Sequence, residues 1–154
     1  MAALATWTPD ASPAAPDAAQ RVLAKLLRSR DLSAAALSRR VEEGLPFRVF
    51  AELAGRLGLT HEAFAAHLRV SPSTLYRRRR AGRFDFAESD RLWRYLNLYA
   101  AAVDVLEGAD AAAAWLGTEL PALGGRTPLD AARDAPGARA AEDLLTRLEF
   151  GVFG

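Results

Sequence analysis

The chain has 154 residues, 51% of them hydrophobic, with 20 basic and 19 acidic side chains for a net charge of +1; this is enough apolar material for a real core and excludes disorder throughout. With no cysteine and only two histidines, His61 and His67, it has neither a disulfide framework nor a metal-ligand spacing, and no metal or other cofactor is expected. No apolar run reaches the roughly 18–20 residues of a membrane span and no signal peptide opens the chain, so the expectation is a cytoplasmic protein with no membrane partner.

Residues 1–16 set Pro9, Pro13 and Pro16 among alanines and small polar residues, a composition that reads as a flexible arm. Asp17, with Gln20 three residues on, caps a helix carrying Val22, Leu23, Leu26 and Leu27 and ending near Arg30. Ser33 starts a second helix through Ala36, Leu37 and Val41, stopped by Gly44 and Pro46. Residues 17–45 are thus expected to form a helical pair, a hairpin or dimerisation element. From Phe47, the residues Phe50, Leu53 and Leu57 share one helical face, with Gly58 as terminator.

Thr60 then caps a short helix with Phe64 and Leu68, Arg69-Val70 makes a turn, and Ser71-Pro72 opens a third helix that Gly82 ends. Residues 60–80 therefore have the caps, length and apolar anchors of a helix-turn-helix. Between residues 86 and 106, Leu92, Leu96, Tyr99, Val103 and Leu106 are spaced 4, 3, 4 and 3 apart, one stripe along the longest helix. That helix closes a bundle over residues 46–107; a dimer seam along it is the alternative.

After Gly108, residues 109–116 read as a short helix and 120–128 as a loop turned by Pro121, Gly124 and Gly125. Thr127-Pro128-Leu129-Asp130 starts another short helix, and Pro136 or Gly137 opens the last, with Ala141, Leu144, Leu145 and Leu148 on its apolar face. No stretch alternates like a strand. The fold class is all-α, a helical bundle with a helix-turn-helix followed by a small helical domain over residues 108–154.

Charge divides along the same line. Residues 1–103 hold 16 basic and 10 acidic side chains, net +6, while 104–154 hold 4 and 9, net −5. Such a division suits one surface for nucleic acid and another for a different partner. Six arginines and no acid lie between Arg69 and Arg83. With Leu75 pointing inward, about 100° per residue puts Ser73, Arg77 and Arg80 on the opposite face and Thr74 and Tyr76 at its borders, as candidates to meet bases. Arg78 and Arg79 fall nearer the core side, where they would reach phosphates with Arg69 and Arg83.

The acidic end resembles something more specific. Ala112-Ala-Ala-Trp115-Leu116, Leu120-Pro121-Ala-Leu123-Gly124-Gly125-Arg126-Thr127-Pro128-Leu129-Asp130, and Glu142-Asp-Leu144-Leu145-Thr-Arg147-Leu148-Glu149-Phe150-Gly151-Val152 look like the toxin-binding domain of the Xre/MbcA/ParS antitoxin family. Ser-x-x-Thr-Leu-x-Arg-Arg and Glu88-Ser-Asp90-Arg91-Leu92 resemble the Xre-like half, so the likeness runs from about Phe47 to Gly151. The resemblance implies a non-catalytic type II antitoxin whose partner is a RES-domain toxin that consumes NAD. Its C-terminal domain would cover the toxin's active-site cleft, and its helix-turn-helix would bind operator DNA and repress the operon, as a homodimer within a larger complex. Trp115, Leu123, Gly124, Gly125, Arg126, Thr127, Glu142, Arg147, Glu149, Phe150, Gly151, Val152 and Phe153 are the expected toxin-binding residues. The Gly124–Thr127 string is not a phosphate loop, since no strand precedes it and the Gly-x-x-x-x-Gly-Lys pattern is missing.

A helix-turn-helix regulator with a ligand- or partner-sensing C-terminal domain is the competing reading, though the C-terminal residues offer few convergent polar groups. An enzyme would need a nucleophile, a paired base or a metal site, and the sequence offers none in a recognisable arrangement.

Overall fold

A computed structural model of the protein describes residues 16–151. Most of the expected N-terminal arm, together with Val152 and Phe153, lies outside the described residues. In chain order the helices are α1 (Ala18–Leu27), α2 (Ala34–Glu43), α3 (Phe47–Leu57), α4 (His61–His67), α5 (Pro72–Ala81), α6 (Phe86–Leu106), α7 (Ala109–Leu116), α8 (Pro128–Ala131) and α9 (Ala135–Glu149). The fold is all-α.

Local chemistry explains most of the boundaries. The side chains of Asp17, Ser33, Thr60, Ser71 and Thr127 each accept the backbone N–H three residues on, capping α1, α2, α4, α5 and α8. Gly58 and Gly82 end α3 and α5 in the left-handed conformation that glycine adopts without a Cβ clash. Three boundaries differ from the sequence reading. Helix α1 stops at Leu27 because Arg28 turns left-handed, φ 50°, and its N–H closes on Ala24 and Lys25. Residues 121–123 wind into a single 3₁₀ turn, Pro121–Leu123, within the expected loop. Helix α9 begins at Ala135, capped by Asp134, so that Pro136 sits within the first turn instead of opening the helix.

Helix α6 is the axis of the molecule. Helices α1, α2, α7 and α9 all pack against it. The expected stripe is accordingly too narrow: Leu92, Tyr95, Leu96, Leu98, Tyr99, Ala100 and Ala102 are all buried, more than half the circumference, while Val103 and Leu106 at its end are only partly so. A helix surrounded by partners needs apolar residues on several faces. One hydrophobic cluster runs without a break from Leu23 of α1 through Phe50, Phe64 and Leu75 to Leu123, Leu129 and Leu145. Helix α1 belongs to this core through Leu23, Leu26 and Leu27, and α2 packs its partly buried Leu37 against it.

The helix-turn-helix is framed at its far end by a short backbone pairing. Phe47 N–H donates to the Gly82 carbonyl at 2.8 Å and Phe84 N–H to the Leu45 carbonyl at 3.0 Å, an isolated bridge between Pro46 and Arg83. Leu45 N–H in turn donates to Oγ of the fully buried Ser89 at 2.7 Å. Gly44 makes this approach possible: at φ 95° a Cβ there would lie 2.2 Å from the Phe84 carbonyl oxygen.

Candidate nucleic-acid interface and partner surface

Helix α5 contributes one residue to the core, Leu75 at 3% exposure, which the Ser71 cap and Pro72 orient by fixing where the helix starts. Ser73, Tyr76, Arg77 and Arg80 are exposed along its outer side, and Thr74 is half-buried at the edge. These side chains are held before any ligand arrives. Ser71 Oγ donates to Thr74 Oγ1 at 3.0 Å and lies 3.2 Å from Ser73 Oγ, and Arg77 Nη2 donates to Thr74 Oγ1 at 3.1 Å. The Arg80 guanidinium lies 5.9 Å from the Tyr76 ring centroid, and its Nη1 donates to the Tyr76 hydroxyl at 3.4 Å. Tyr76 is nonetheless 57% exposed, an aromatic ring presented to solvent beside the guanidiniums of Arg77 and Arg80, neither of which has an acidic partner among the described residues.

The four flanking arginines do different things. Arg78, expected at a phosphate, is a brace instead: its Nε donates to Glu88 Oε2 at 2.7 Å and its Nη2 to Glu88 Oε1 and Asp85 Oδ2, both at 3.2 Å. Those two acids form the capping box of α6, Asp85 accepting the Glu88 N–H at 2.8 Å and Glu88 accepting the Asp85 N–H at 3.0 Å. The hydrogen bond it donates to Glu88 holds the Arg78 guanidinium even more firmly protonated than usual. Arg78 lies about 60° from Leu75 around α5, so the packing that buries Leu75 also presses Arg78 onto α6. Arg79 lies 5.6 Å from the Phe47 ring centroid and 3.2 Å from His61 Nδ1, on the α3–α4 side. Arg83 Nη1 donates to the Glu43 and Gly44 carbonyls at the end of α2, at 3.1 and 2.8 Å. Arg69 stands exposed in the α4–α5 turn at φ 56°.

The sequence reading missed what lies near Arg83. Arg39 and Arg40 of α2 line the same cleft as Arg83, of about 310 Å³, and only the fold brings these separate segments together.

In the C-terminal region several residues expected at a partner surface turn out to build the fold. Leu123 is buried at 4% exposure in the 3₁₀ turn, so a surface contact through it is excluded while that turn is folded. Gly124 and Gly125, at φ 70° and 82°, let their N–H groups close on the Pro121 and Leu120 carbonyls at 3.0 Å each. Thr127 caps α8 through its hydroxyl, which accepts the Asp130 N–H at 3.1 Å. Trp115 is half-buried against the core. Glu142, an expected toxin-binding residue, faces α6, where it accepts from Asn97 Nδ2 at 3.3 Å. Arg126 is exposed although its Nε donates to the Leu123 carbonyl at 3.2 Å. Arg147, Glu149, Phe150 and Gly151 are exposed at the end of α9, with Phe150 at 72% exposure, the most exposed large apolar side chain among the described residues.

The two regions meet at a polar seam. The Tyr95 hydroxyl is within 3.3 Å of the carbonyls of both His67 and Leu129, and burial pushes its ionisation well above the usual phenol range. His67 Nδ1 is buried without a hydrogen-bond partner among the described residues, 3.7 Å from Asp130 Oδ1, too long for a hydrogen bond but close enough for an ion pair if the ring is charged. Burial, the larger effect, lowers the His67 pKa against the raising influence of Asp130, so the ring favours its neutral form.

Residues 36–97 match the family described as the antitoxin Xre-like helix-turn-helix domain, and residues 101–151 match the antitoxin Xre/MbcA/ParS C-terminal toxin-binding domain. The two matched stretches meet inside α6. Antitoxin Xre of Yersinia enterocolitica serotype O:8 / biotype 1B is 39% identical over 84 residues, which cover 54% of this chain and 57% of that protein. The similarity thus spans little more than half the length of this curated relative.

Proposed function

The chain belongs to the Xre/MbcA/ParS antitoxin family, with both of the family's domains in order, and from that premise we propose that it is the antitoxin of a type II toxin–antitoxin pair. Its C-terminal region binds a RES-domain toxin that consumes NAD and covers the toxin's active-site cleft. Its α4–α5 unit binds operator DNA and represses the operon, with the protein acting as a homodimer within a larger complex in the cytoplasm. The protein performs no catalysis of its own.

The observation that carries the toxin half is the end of α9. A helix whose inner side, through Ala141 and Leu145, is buried in the core ends by leaving Phe150 in solvent beside Arg147 and Glu149. An exposed apolar ring at a helix end, flanked by charges of both signs, suits insertion into a cleft better than a free surface. For the DNA half, the support is the outer side of α5, where Arg77 and Arg80 have no acidic partner among the described residues.

Co-expression with a RES-type toxin tests the first half. Removal of residues 150–154 is expected to abolish protection and leave DNA binding intact, and full protection by the shortened protein would count against the toxin reading. Titration of DNA binding against salt tests the second. Six or more phosphate contacts should lose roughly a thousandfold in affinity between about 50 and 200 mM salt, and a flat response would remove the DNA reading.

A further inference from the structure

Between the first turns of α6, the α4–α5 turn and the start of α9 lies a cleft of about 410 Å³. Its basic side chains come from three separate stretches of the chain: Arg69, Arg91 with Arg94, and Arg133. Two carboxylates share the cleft, Asp90 and Asp134. Asp134 is already engaged in capping α9, accepting the Gly137 N–H at 2.7 Å.

Carbonyl groups, not acids, hold these arginines. Arg91 Nε donates to the Leu68 carbonyl at 2.7 Å and Arg133 Nη2 to the Ala66 carbonyl at 3.3 Å. Arg94 Nη1 reaches the carbonyls of Ala132 and Arg133 at 3.5 and 3.4 Å. Among the described residues none of the four is within ion-pair distance of a carboxylate, and the Arg69 side chain makes no hydrogen bond. A guanidinium carries five N–H donors. Most of that donor capacity is therefore unused, and the positive charge of the cleft outweighs the negative.

Position indicates which anion belongs there. Arg69 precedes the Ser71 cap of α5 by two residues, and Phe86, another wall of the cleft, follows Asp85, which Arg78 of α5 grips. The cleft therefore borders α5 along the flank that carries Thr74 and Arg77. A duplex lying against the outer side of α5 passes its sugar-phosphate backbone along the flanks of that helix, where arginines hold phosphates.

We propose that this cleft receives a backbone phosphate of the DNA bound by α5, so that Arg133, a residue of the acidic C-terminal region, is itself a DNA contact. The inference rests on the DNA reading of α5 given above. A phosphate contact of this kind adds affinity and fixes orientation but reads no bases.

The full chain, with a duplex from the region upstream of its own gene and a scrambled duplex of equal length, provides the test. Arg133→Gln removes the charge and keeps an amide able to donate to the Ala66 carbonyl. It is expected to weaken both duplexes severalfold and to reduce the slope of log affinity against log salt by about 0.9, one phosphate contact. Arg133→Lys should restore the slope, and Arg139→Gln, on an exposed arginine of α9 outside the cleft, should leave it unchanged. An unaltered slope in Arg133→Gln, with steep binding by the wild-type protein, overturns the cleft assignment and leaves the α5 reading standing. No binding of either duplex by the wild-type protein overturns both. If Arg133→Gln fails to fold, Ala135→Cys, an exposed position lining the same cleft in a chain without other cysteines, carries a photocrosslinker. Crosslinks to the bound duplex support the assignment, and none would overturn it.

Discussion

The α4–α5 unit and the α7–α9 region are built with the same device, a short helix started by a side-chain cap, yet their distinctive residues point in opposite directions. In α5 the unusual residues are outside: one leucine holds the helix down, and Ser73, Tyr76, Arg77 and Arg80 face solvent. In the C-terminal region the distinctive string from Leu123 to Leu129 is anchored inward at both ends, with Leu123, Pro128 and Leu129 buried, two exposed glycines making the turn and Thr127 capping. A string that identifies a fold is one that packing and backbone geometry constrain tightly. The groups free to meet a partner are Arg126 at its exposed turn and, beyond it, Arg147, Glu149 and Phe150.

The contrast can be broken first where it is tightest. Gly137 sits where a Cβ would be 1.8 Å from the Ala131 carbonyl oxygen, a backbone atom that cannot move aside cheaply. Gly137→Ala should lower stability in urea unfolding by about 3 kcal/mol, whereas Gly82→Ala, with open space around it but φ 78°, should cost only about 1 kcal/mol. On the outward side, Arg77→Ala with Arg80→Ala should weaken DNA binding about 100-fold with unchanged helical circular dichroism. Survival of full affinity would mean that the exposed side of α5 has been misassigned.

Arg78 sharpens the comparison, because it lies among the exposed arginines and behaves like a core residue. Arg78→Ala leaves Glu88, whose side chain is 8% exposed, without its cation. The expected cost is about 2 kcal/mol, discounted because the Arg78 side chain is 25% exposed, with no change in the salt slope of DNA binding. The smallest effect belongs to the seam. The His67 pKa is depressed in the folded chain, so the unfolded state binds its proton first and stability falls as pH drops below about 6.5, the ordinary value. Melting temperatures measured from neutral to mildly acidic pH should decline more steeply in the wild-type protein than in His67→Gln.

Most of this architecture was legible because caps are local chemistry. Asp17, Ser33, Thr60, Ser71 and Thr127 each act on a backbone group three residues away, so the sequence contains the whole interaction. The inward direction of Leu75 follows equally from helical period. What the sequence hid depends on neighbours far along the chain. The sequence of α5 alone places Arg78 at a phosphate, since nothing in it reveals that Asp85 and Glu88 lie beneath it. The breadth of burial on α6 was hidden because a stripe at spacing 4, 3, 4, 3 describes one neighbour, while α1, α2, α7 and α9 all pack on this helix. Glu142 looked like a surface acid until Asn97, 45 residues earlier, came within 3.3 Å of it.

The unbroken core that joins α1 to α9 carries a consequence for the lifetime of the chain. With no boundary in the packing, local opening near α9 and global unfolding draw on the same set of buried contacts. A partner that binds only the folded form at 100 times its dissociation constant adds about 2.7 kcal/mol of stability to the whole molecule, helices α4 and α5 included. Where proteases cut only the opened state, that is roughly a hundredfold fewer cleavable molecules. Occupancy of one end of the protein would then set how long the other end survives.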